Sequence, residues 1–419
     1  MPARLTIPER PDAGDADAGV AWTVAHAAGG SDWWRSHFER AGVDPGSVSG
    51  VSDLPRLPFT TKEDLRGSYP LGWAAVPPAS LVRIHASSGT TGKRTVCAYT
   101  ANDVDDWAEQ FARSFATAGV TDEDRVQIAV GYGMWTAGVG FQAGAERLGA
   151  LVVPTGPGNL ELQLEMLVDL QSTVLCATSS FALLIAETVE ARGLRGSLAL
   201  RVGVFGSERW GPKMRARIES LLGIEAFDIY GLTELYGPGV GIECSTHEGM
   251  HYWSDYYVLE IVDPETGDPL PPGEEGEVVA TTLRKEGMPL IRYRTRDLSH
   301  LYPGQCSCGN PYPRLAALKG RTDDMVKVKG VAVFPSQVEA ILARVEAVGS
   351  EYQLHVERDA EQGDLMIVRV EAEERPGLRE RLVHELREGL SVRPDVELLP
   401  HGSLPRTERK TQRVFDHRA

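Results

Sequence analysis

From about residue 81 to residue 231, short apolar runs alternate with stretches whose apolar residues recur at helical spacing. LVRI (81–84), VQIAV (126–130), LVV (151–153), STVLCA (172–177), LRVGVF (200–205) and EAFDIYG (225–231) are short and apolar enough to be buried strands. Helical patterns are read over 102–118, through a small-residue segment ending at Leu148, over 160–170, over FALLIAETVEARG (181–193) and over 212–222. Strands separated by helices predict a largely parallel sheet covered on both faces. Ligands of such sheets bind beyond the carboxyl ends of the strands. The loops GYG (131–133), FGSE (205–208) and YGLTE (230–234) each follow a strand, so they belong to that edge.

Beyond residue 250 the pattern changes. HYWSDYYVLEIVDPETGDPLPPGEEGEVVATTL alternates apolar and polar residues between Pro-, Gly- and Asp-rich turns, which predicts antiparallel sheet. After GRTDD (320–324) comes a small α/β unit: MVKVKG, a helix over 335–345, strands near YQLHVE and DLMIVRVE, a long helix ending at Leu390, then DVELL. The expected fold class is α/β. A large N-terminal domain (21–320) carries mostly parallel sheets flanked by helices, with an antiparallel, barrel-like portion over 250–320. A small, mobile C-terminal α+β domain (321–419) follows. Residues 1–20 are expected to lack order, since PERPDAGDADAG is acidic and rich in Gly and Ala.

Composition narrows the function classes. The chain has 419 residues, 42% of them hydrophobic, and a formal net charge of -16. No Lys/Arg block offers a basic face, which argues against nucleic-acid binding. No apolar run is long enough to span a membrane, and the N-terminus has no apolar signal core. The expectation is a cytoplasmic protein, with only the tail from Arg406 to Arg418 distinctly basic.

ASSGTTGKRT (86–95) looks like a phosphate-holding loop but is not a Walker A motif. That motif needs Gly where Ser87 stands and a hydroxyl where Arg94 stands. What remains is Ser87, Ser88, Gly89, Thr90, Thr91, Gly92 and Lys93, a run of small residues and hydroxyls whose amides can wrap an anion. A plain surface turn would look the same. YGLTE places Thr233 and Glu234 together, where Thr233 can donate to a phosphate and Glu234 can hold Mg2+; a helix-capping pair is the alternative. In YRTRD (293–297), Asp297 can accept both hydroxyls of a ribose, beside Arg294 and Arg296. Lys410 lies in PRTERKTQR, a tail with no pattern of its own.

Taken in order, these pieces resemble the adenylate-forming acyl-CoA ligases, and within them the phenylacetate–CoA ligase branch. The resemblance rests on LPRLPFTTKEDLR, LVRIHASSGTTGK, GYG, GAERLGA, YGLTELYGPGV, YRTRD with GRTDDMVKVKGVAVFPSQVE, and SLPRTERKTQRV, spanning the chain from about residue 53. It implies that Ser87 through Lys93 order the β- and γ-phosphates of ATP. Tyr230, with Gly231, packs near the adenine, Thr233 contacts phosphate and Glu234 binds Mg2+. Asp297 binds the ribose with Arg321 nearby, and Asp324 lies at the hinge of the small domain. Lys410 is implied as the lysine that contacts substrate carboxylate and α-phosphate during adenylation. The implied reaction joins an aromatic acid to AMP and then to a thiol. That thiol is coenzyme A by default, or the phosphopantetheine arm of a carrier protein. A homodimer is a further family-level expectation. From another class, the same residues fit a nucleotide-binding zinc protein without turnover.

Cys244, Cys306 and Cys308 need a fourth partner to form a Cys3His set suited to structural zinc, and ECSTHEGMH offers His247 and His251. The residues alone leave zinc open. Members of the resembling branch with Cys, six residues, then His bind zinc, a spacing that fits His251 and not His247. His26, His247 and His417 are expected at the surface. The acyl pocket is expected between the GYG loop and FGSERW, with Tyr132, Trp135, Phe141, Gly206 and Pro238 as substrate-binding residues and Ser207 and Glu208 beside the nucleotide. Its aromatic, Gly- and Ala-rich texture favours a compact, flat acid. The branch pattern Gly-Ala-Glu-Pro-Trp is replaced here by Gly206, Ser207, Glu208, Arg209 and Trp210. With Trp135 where Phe is common, a benzoate-type acid is as well supported as phenylacetate.

Overall fold

The structure is a computed structural model that describes residues 9–11, 14–87, 94–358, 364–406 and 412–418. The first helix, Ala16–Gly30, corrects the expected lack of order over residues 16–20. Asp15 caps it by accepting from the Ala18 amide at 2.9 Å, and Val20, Val24 and Ala27 are fully buried. Gly19 lets the helix lie directly on Leu283. Tertiary burial overrides a composition that reads as disordered. Ahead of this helix, Arg10 pairs with Asp106. His26, expected at the surface, is buried; its Nε2 lies 2.8 Å from the Glu286 carbonyl and its ring stacks on Trp22.

The strand at LVRI does not join the parallel sheet. β1 (Arg83–Ala86) and β2 (Val96–Tyr99) form a separate antiparallel hairpin, with Arg83 opposite Tyr99 and Ala86 opposite Val96. The glycine-rich loop therefore connects two hairpin arms rather than a strand to a helix. Its second arm, VCAY, has no alternation to mark it in the sequence. Helix Ala101–Thr117 follows, started by a capping box of Thr100 and Asp103, a device worth about 1 kcal/mol.

β3 (Arg125–Ile128), β4 (Leu151–Val153), β5 (Val174–Thr178), β6 (Val202–Gly206) and β7 (Glu225–Leu232) are parallel, in the spatial order β4-β3-β5-β6-β7. β8 (Gly237–Glu243) and β9 (Met250–Tyr252) extend the sheet antiparallel. Helices Ala101–Thr117 and Ala137–Leu148 cover one face. Leu160–Asp169, Ser179–Ala191 and Pro212–Leu222 cover the other. The strands are apolar on both sides, as this layering requires: Val174 and Cys176 face one core, Leu175 and Ala177 the other.

β10 (Tyr257–Val262), β11 (Gly276–Thr282) and β12 (Tyr293–Ser299) are consecutive antiparallel strands. The chain then adds β13 (Arg314–Leu315) to the edge of β9 and β14 (Gly320–Arg321) to β12. A second core begins at Val326. Here β15 (Val326–Val328) and β16 (Val331–Val333) form a hairpin. β17 (Val348–Arg358), β18 (Asp364–Ala372), β19 (Asp395–Leu399) and β20 (Val414–Asp416) form a sheet in the order β19-β18-β17-β20, packed by helices Pro335–Leu342 and Leu378–Leu390. Just after PRTERKTQR, β20 returns to the sheet: Val414 to Asp416 run parallel to Leu354 to Val356. Among the described residues no helix is long and apolar enough to cross a membrane.

Candidate active site

The carboxyl ends of β6 and β7 face the antiparallel sheet, and residues from both sheets meet there. Tyr230, buried near the end of β7, donates its hydroxyl to Asp297 Oδ2 at 2.8 Å. Asp297 on β12 stands opposite Arg321 on β14, whose Nη1 donates to Asp297 Oδ1 at 3.1 Å. The far side of the same guanidinium holds Asp323 at 2.8 and 3.0 Å. Burial pushes the Asp297 carboxyl up to about 6, against the opposing pull of Arg321 and the Tyr230 hydroxyl. Burial, and then the neighbouring Asp297 carboxylate, hold the Tyr230 phenol well above its ordinary range.

A second polar chain starts at the end of β1. The Ser87 hydroxyl meets the Thr95 hydroxyl at 2.5 Å, and Thr95 Oγ1 donates to Glu234 Oε1 at 3.2 Å. Lys62 Nζ approaches the same carboxylate oxygen at 3.4 Å. The turn bearing Thr233 and Glu234 is fixed from below. Tyr99 donates to the carbonyls of Thr233 and Tyr236 at 3.1 and 3.0 Å, and Lys285 Nζ donates to the Glu234 carbonyl at 2.7 Å. Lys285 is fully buried between the rings of Tyr99 and Tyr236, 5.0 and 5.3 Å from their centroids, and burial lowers its pKa. Lys62, Thr95 and Lys285 escaped the sequence reading. Lys62 stood inside TTKEDLR, and nothing in its spacing pairs it with a carboxylate 172 positions away. Ser88, Gly89, Thr90, Thr91, Gly92, Lys93 and Lys410 lie outside the described residues.

Residues expected to line the acyl pocket divide in two. Gly206 ends β6, and Ser207 takes a left-handed φ of 69° that turns the chain sharply at this edge. Glu208 Oε1 accepts from the Ser180 amide at 2.7 Å, at the start of helix Ser179–Ala191. Trp135 lies across Gly131, where a Cβ would strike its ring. Burial raises the Tyr132 phenol to about 12, and its hydroxyl has no partner among the described residues. Phe141 is 3% exposed and packs on Phe111 at 4.9 Å and Phe115 at 6.0 Å. The reason is local. Gly140 and Gly144 bring its helix hard against Phe111, so the side chain between them is enclosed. Pro238 contributes a carbonyl to Trp107 Nε1 at 3.0 Å, opposite Gly231, where a side chain would meet the Gly237 carbonyl.

At the other edge of the mixed sheet, Cys244, His251, Cys306 and Cys308 bring four ligand atoms within 4.8 Å of one another. Cys244 Sγ lies 3.7 Å from Cys306 Sγ, and Cys308 Sγ lies 3.3 Å from His251 Nε2. His251 Nδ1 lies 2.7 Å from the Tyr312 carbonyl, which fixes the ring with Nε2 turned toward the sulfurs. His247 is not in the cluster; it sits among Glu225, Glu243 and Arg215.

This arrangement is that of a nucleotide-binding, two-domain α/β protein, and family comparison agrees. Residues 46–283 match the AMP-binding enzyme family and residues 330–418 match its C-terminal domain. The chain belongs to the AMP-binding enzyme family. It is similar to the phenylacetate-coenzyme A ligase of Escherichia coli (strain K12), with 44% identity covering 95% of this chain and 93% of the relative. Against the Thermus thermophilus ligase of the same name, identity is 42% and coverage 92% of each chain. Among solved structures, 2-hydroxyisobutyryl-CoA ligase in its postadenylation state, bound to 2-HIB-AMP, superposes with a TM-score of 0.87 at 27% identity, over 97% of this chain and 91% of the other. The same ligase in its thioesterification state, with 2-HIB-AMP and CoA, gives 0.71 at 28% identity, over 96% and 90%.

Proposed function

We propose that the protein activates an aromatic carboxylic acid with ATP, forming an acyl-adenylate and pyrophosphate, and then transfers the acyl group to coenzyme A with release of AMP. One observation carries this reading. The Ser87–Thr95–Glu234 chain ties the base of the glycine-rich loop to a buried carboxylate at the same sheet edge as Tyr230 and Asp297. A nucleotide laid along that edge would place its ribose hydroxyls on Asp297 and its phosphates toward Glu234. A single carboxylate flanked by hydroxyls is how Mg2+ is held when substrate phosphates complete its shell, so Glu234 fits that ion. Carboxylate and α-phosphate are both anionic as they approach, and Lys410 from the small domain is the group assigned to screen them. Residues 322–325, with Asp324 exposed between β14 and β15, are the hinge this requires.

The relatives' printed activity favours an arylacetic acid, whereas Ser207 and Trp135 favour a shorter, flatter acid. Acid-dependent exchange of labelled pyrophosphate into ATP, run across arylacetates and substituted benzoates, decides between them. Thioester formation with CoA against a phosphopantetheinylated carrier protein then decides the acceptor. Exchange with no acid in the panel rejects the reading.

The cysteine cluster is proposed as a structural zinc site. Zn–S bonds near 2.3 Å in a tetrahedron put neighbouring sulfurs roughly 3.7 Å apart, and the Cys244–Cys306 separation is 3.7 Å. With four protein ligands no position is left open for chemistry. The metal would tie the β8–β9 edge to the loop before β13.

A further inference from the structure

Helix Pro212–Leu222 of the large domain starts against the end of helix Pro335–Leu342 of the small one. Lys213 Nζ donates there to three main-chain carbonyls: Leu342 at 3.2 Å, Val345 at 2.5 Å and Val348 at 2.6 Å. An ammonium has three donors, and all three are used. The acceptors lie at and just beyond a helix C-terminus, where carbonyls carry partial negative charge; the Leu342 and Val345 carbonyls also accept from the Val345 and Val348 amides, at 3.2 and 3.1 Å. The approach is close. A side chain at Gly211 would strike the Glu339 carboxylate, and the cavity beside Lys213 is about 20 Å³. Two further contacts cross the same seam. Arg209 holds Glu339 and the Leu318 carbonyl, and Arg406 bridges Glu187 of the large domain and Glu371 of the small one. Each of these bonds is polar, so water can replace it when the seam opens.

We propose that Lys213 is a latch. It holds the small domain in the arrangement described here, which lies nearer to the postadenylation than to the thioesterification structures of the related ligase. In that arrangement the small domain, to which Lys410 belongs, is docked for adenylation. Lys213 acts through the small domain and touches no substrate, so it is a positioning residue. The latch opens before the thiol half-reaction. This inference rests on the proposed two-step reaction.

The test uses the full chain with Lys213→Met, which keeps the aliphatic stem and removes the ammonium. Three quantities are measured: acid-dependent pyrophosphate exchange, thioester formation from supplied acyl-adenylate and CoA, and Tm. The expected result is exchange reduced at least about tenfold, thioester formation unchanged or faster, and Tm nearly unchanged. Unchanged exchange, or a parallel loss in both half-reactions, overturns the latch. Should Lys213→Met fold poorly, Glu339→Gln weakens the same seam and is expected to give the same split at smaller amplitude; no split there overturns the latch equally. Exchange in the wild-type chain separates the two failures. Its absence removes the reaction itself, whereas its presence with an indifferent Lys213→Met removes only the latch.

Discussion

The two ends of the candidate nucleotide site are built differently. The nucleoside end is made of strands. Tyr230, Asp297 and Arg321 come from β7, β12 and β14, and their side chains are hydrogen-bonded to one another. The phosphate end is proposed to be made of loops. Glu234 and Ser87 mark its floor, and Lys93 and Lys410, assigned to it under the proposed function, lie outside the described residues. Strands can hold a carboxylate in place cheaply because their own backbone bonds are satisfied. In the proposed reaction a group must meet substrate in one half-reaction and leave in the next, which a domain turning on a hinge allows. The difference teaches that affinity for nucleotide and catalysis of adenylation should separate under mutation.

The sharpest way to break that comparison is Lys410→Ala. Pyrophosphate exchange is expected to fall on the order of a hundredfold or more, the scale for removing one transition-state donor, with ATP binding by calorimetry little changed. If ATP affinity falls in proportion, the phosphate end binds as well as catalyses and the division fails.

Asp297→Asn probes the other end. Weakening charge-assisted bonds to ribose hydroxyls is expected to raise the KM for ATP roughly tenfold or more, with a smaller change in kcat. pH gives the same test without mutation. Burial places the Asp297 carboxyl at about 6, above its ordinary 3.8. The ligand-free fold therefore gains stability from this group as pH falls from about 6 toward 3.8, because the native state then binds a proton that the unfolded state does not. Nucleotide binding runs the opposite way. The carboxylate is the better acceptor for hydroxyls, so ATP affinity should decline as pH drops through about 6, and Asp297→Asn should flatten that decline. A wild-type profile that is flat from pH 7.5 to 5.5 would remove Asp297 from ribose binding.

How much of this was legible in the sequence follows the same division. The parallel strands announced themselves because both faces are apolar, and the edge loops were found as the residues after each strand. The hairpin was missed because VCAY is too short to show a period. Helix Ala16–Gly30 was missed because its stability comes from packing on Leu283 and its neighbours, not from its own composition. The packing of Phe141 on Phe111, where Gly140 and Gly144 close the helix onto that ring, was not legible either. Lys62 and Lys285 became visible only when the fold carried them to Glu234. Long-range partners of a single charge leave no periodic trace; the Cys-x-Cys pair is local and visible, but only the fold brings Cys244 and His251 to it.

The cysteine cluster gives the smallest expected effect on activity, and it tests whether the built end of the site depends on its far edge. β9 and β8 link the cluster to β7, which carries Tyr230. Metal analysis of the purified chain is expected to give one zinc per chain, and none in Cys306→Ser. Loss of a structural metal removes folding free energy directly. Tm should therefore fall by several degrees, at roughly 2–4 °C for each kcal/mol in a domain of moderate size. Because the proposed four-ligand site would leave a metal no open position, the KM for ATP should change less than about twofold in folded Cys306→Ser. A large rise in that KM at unchanged Tm would mean that the cluster positions Tyr230 and Asp297 rather than merely fastening the sheet, and the rigidity ascribed to the strands would then belong to the metal.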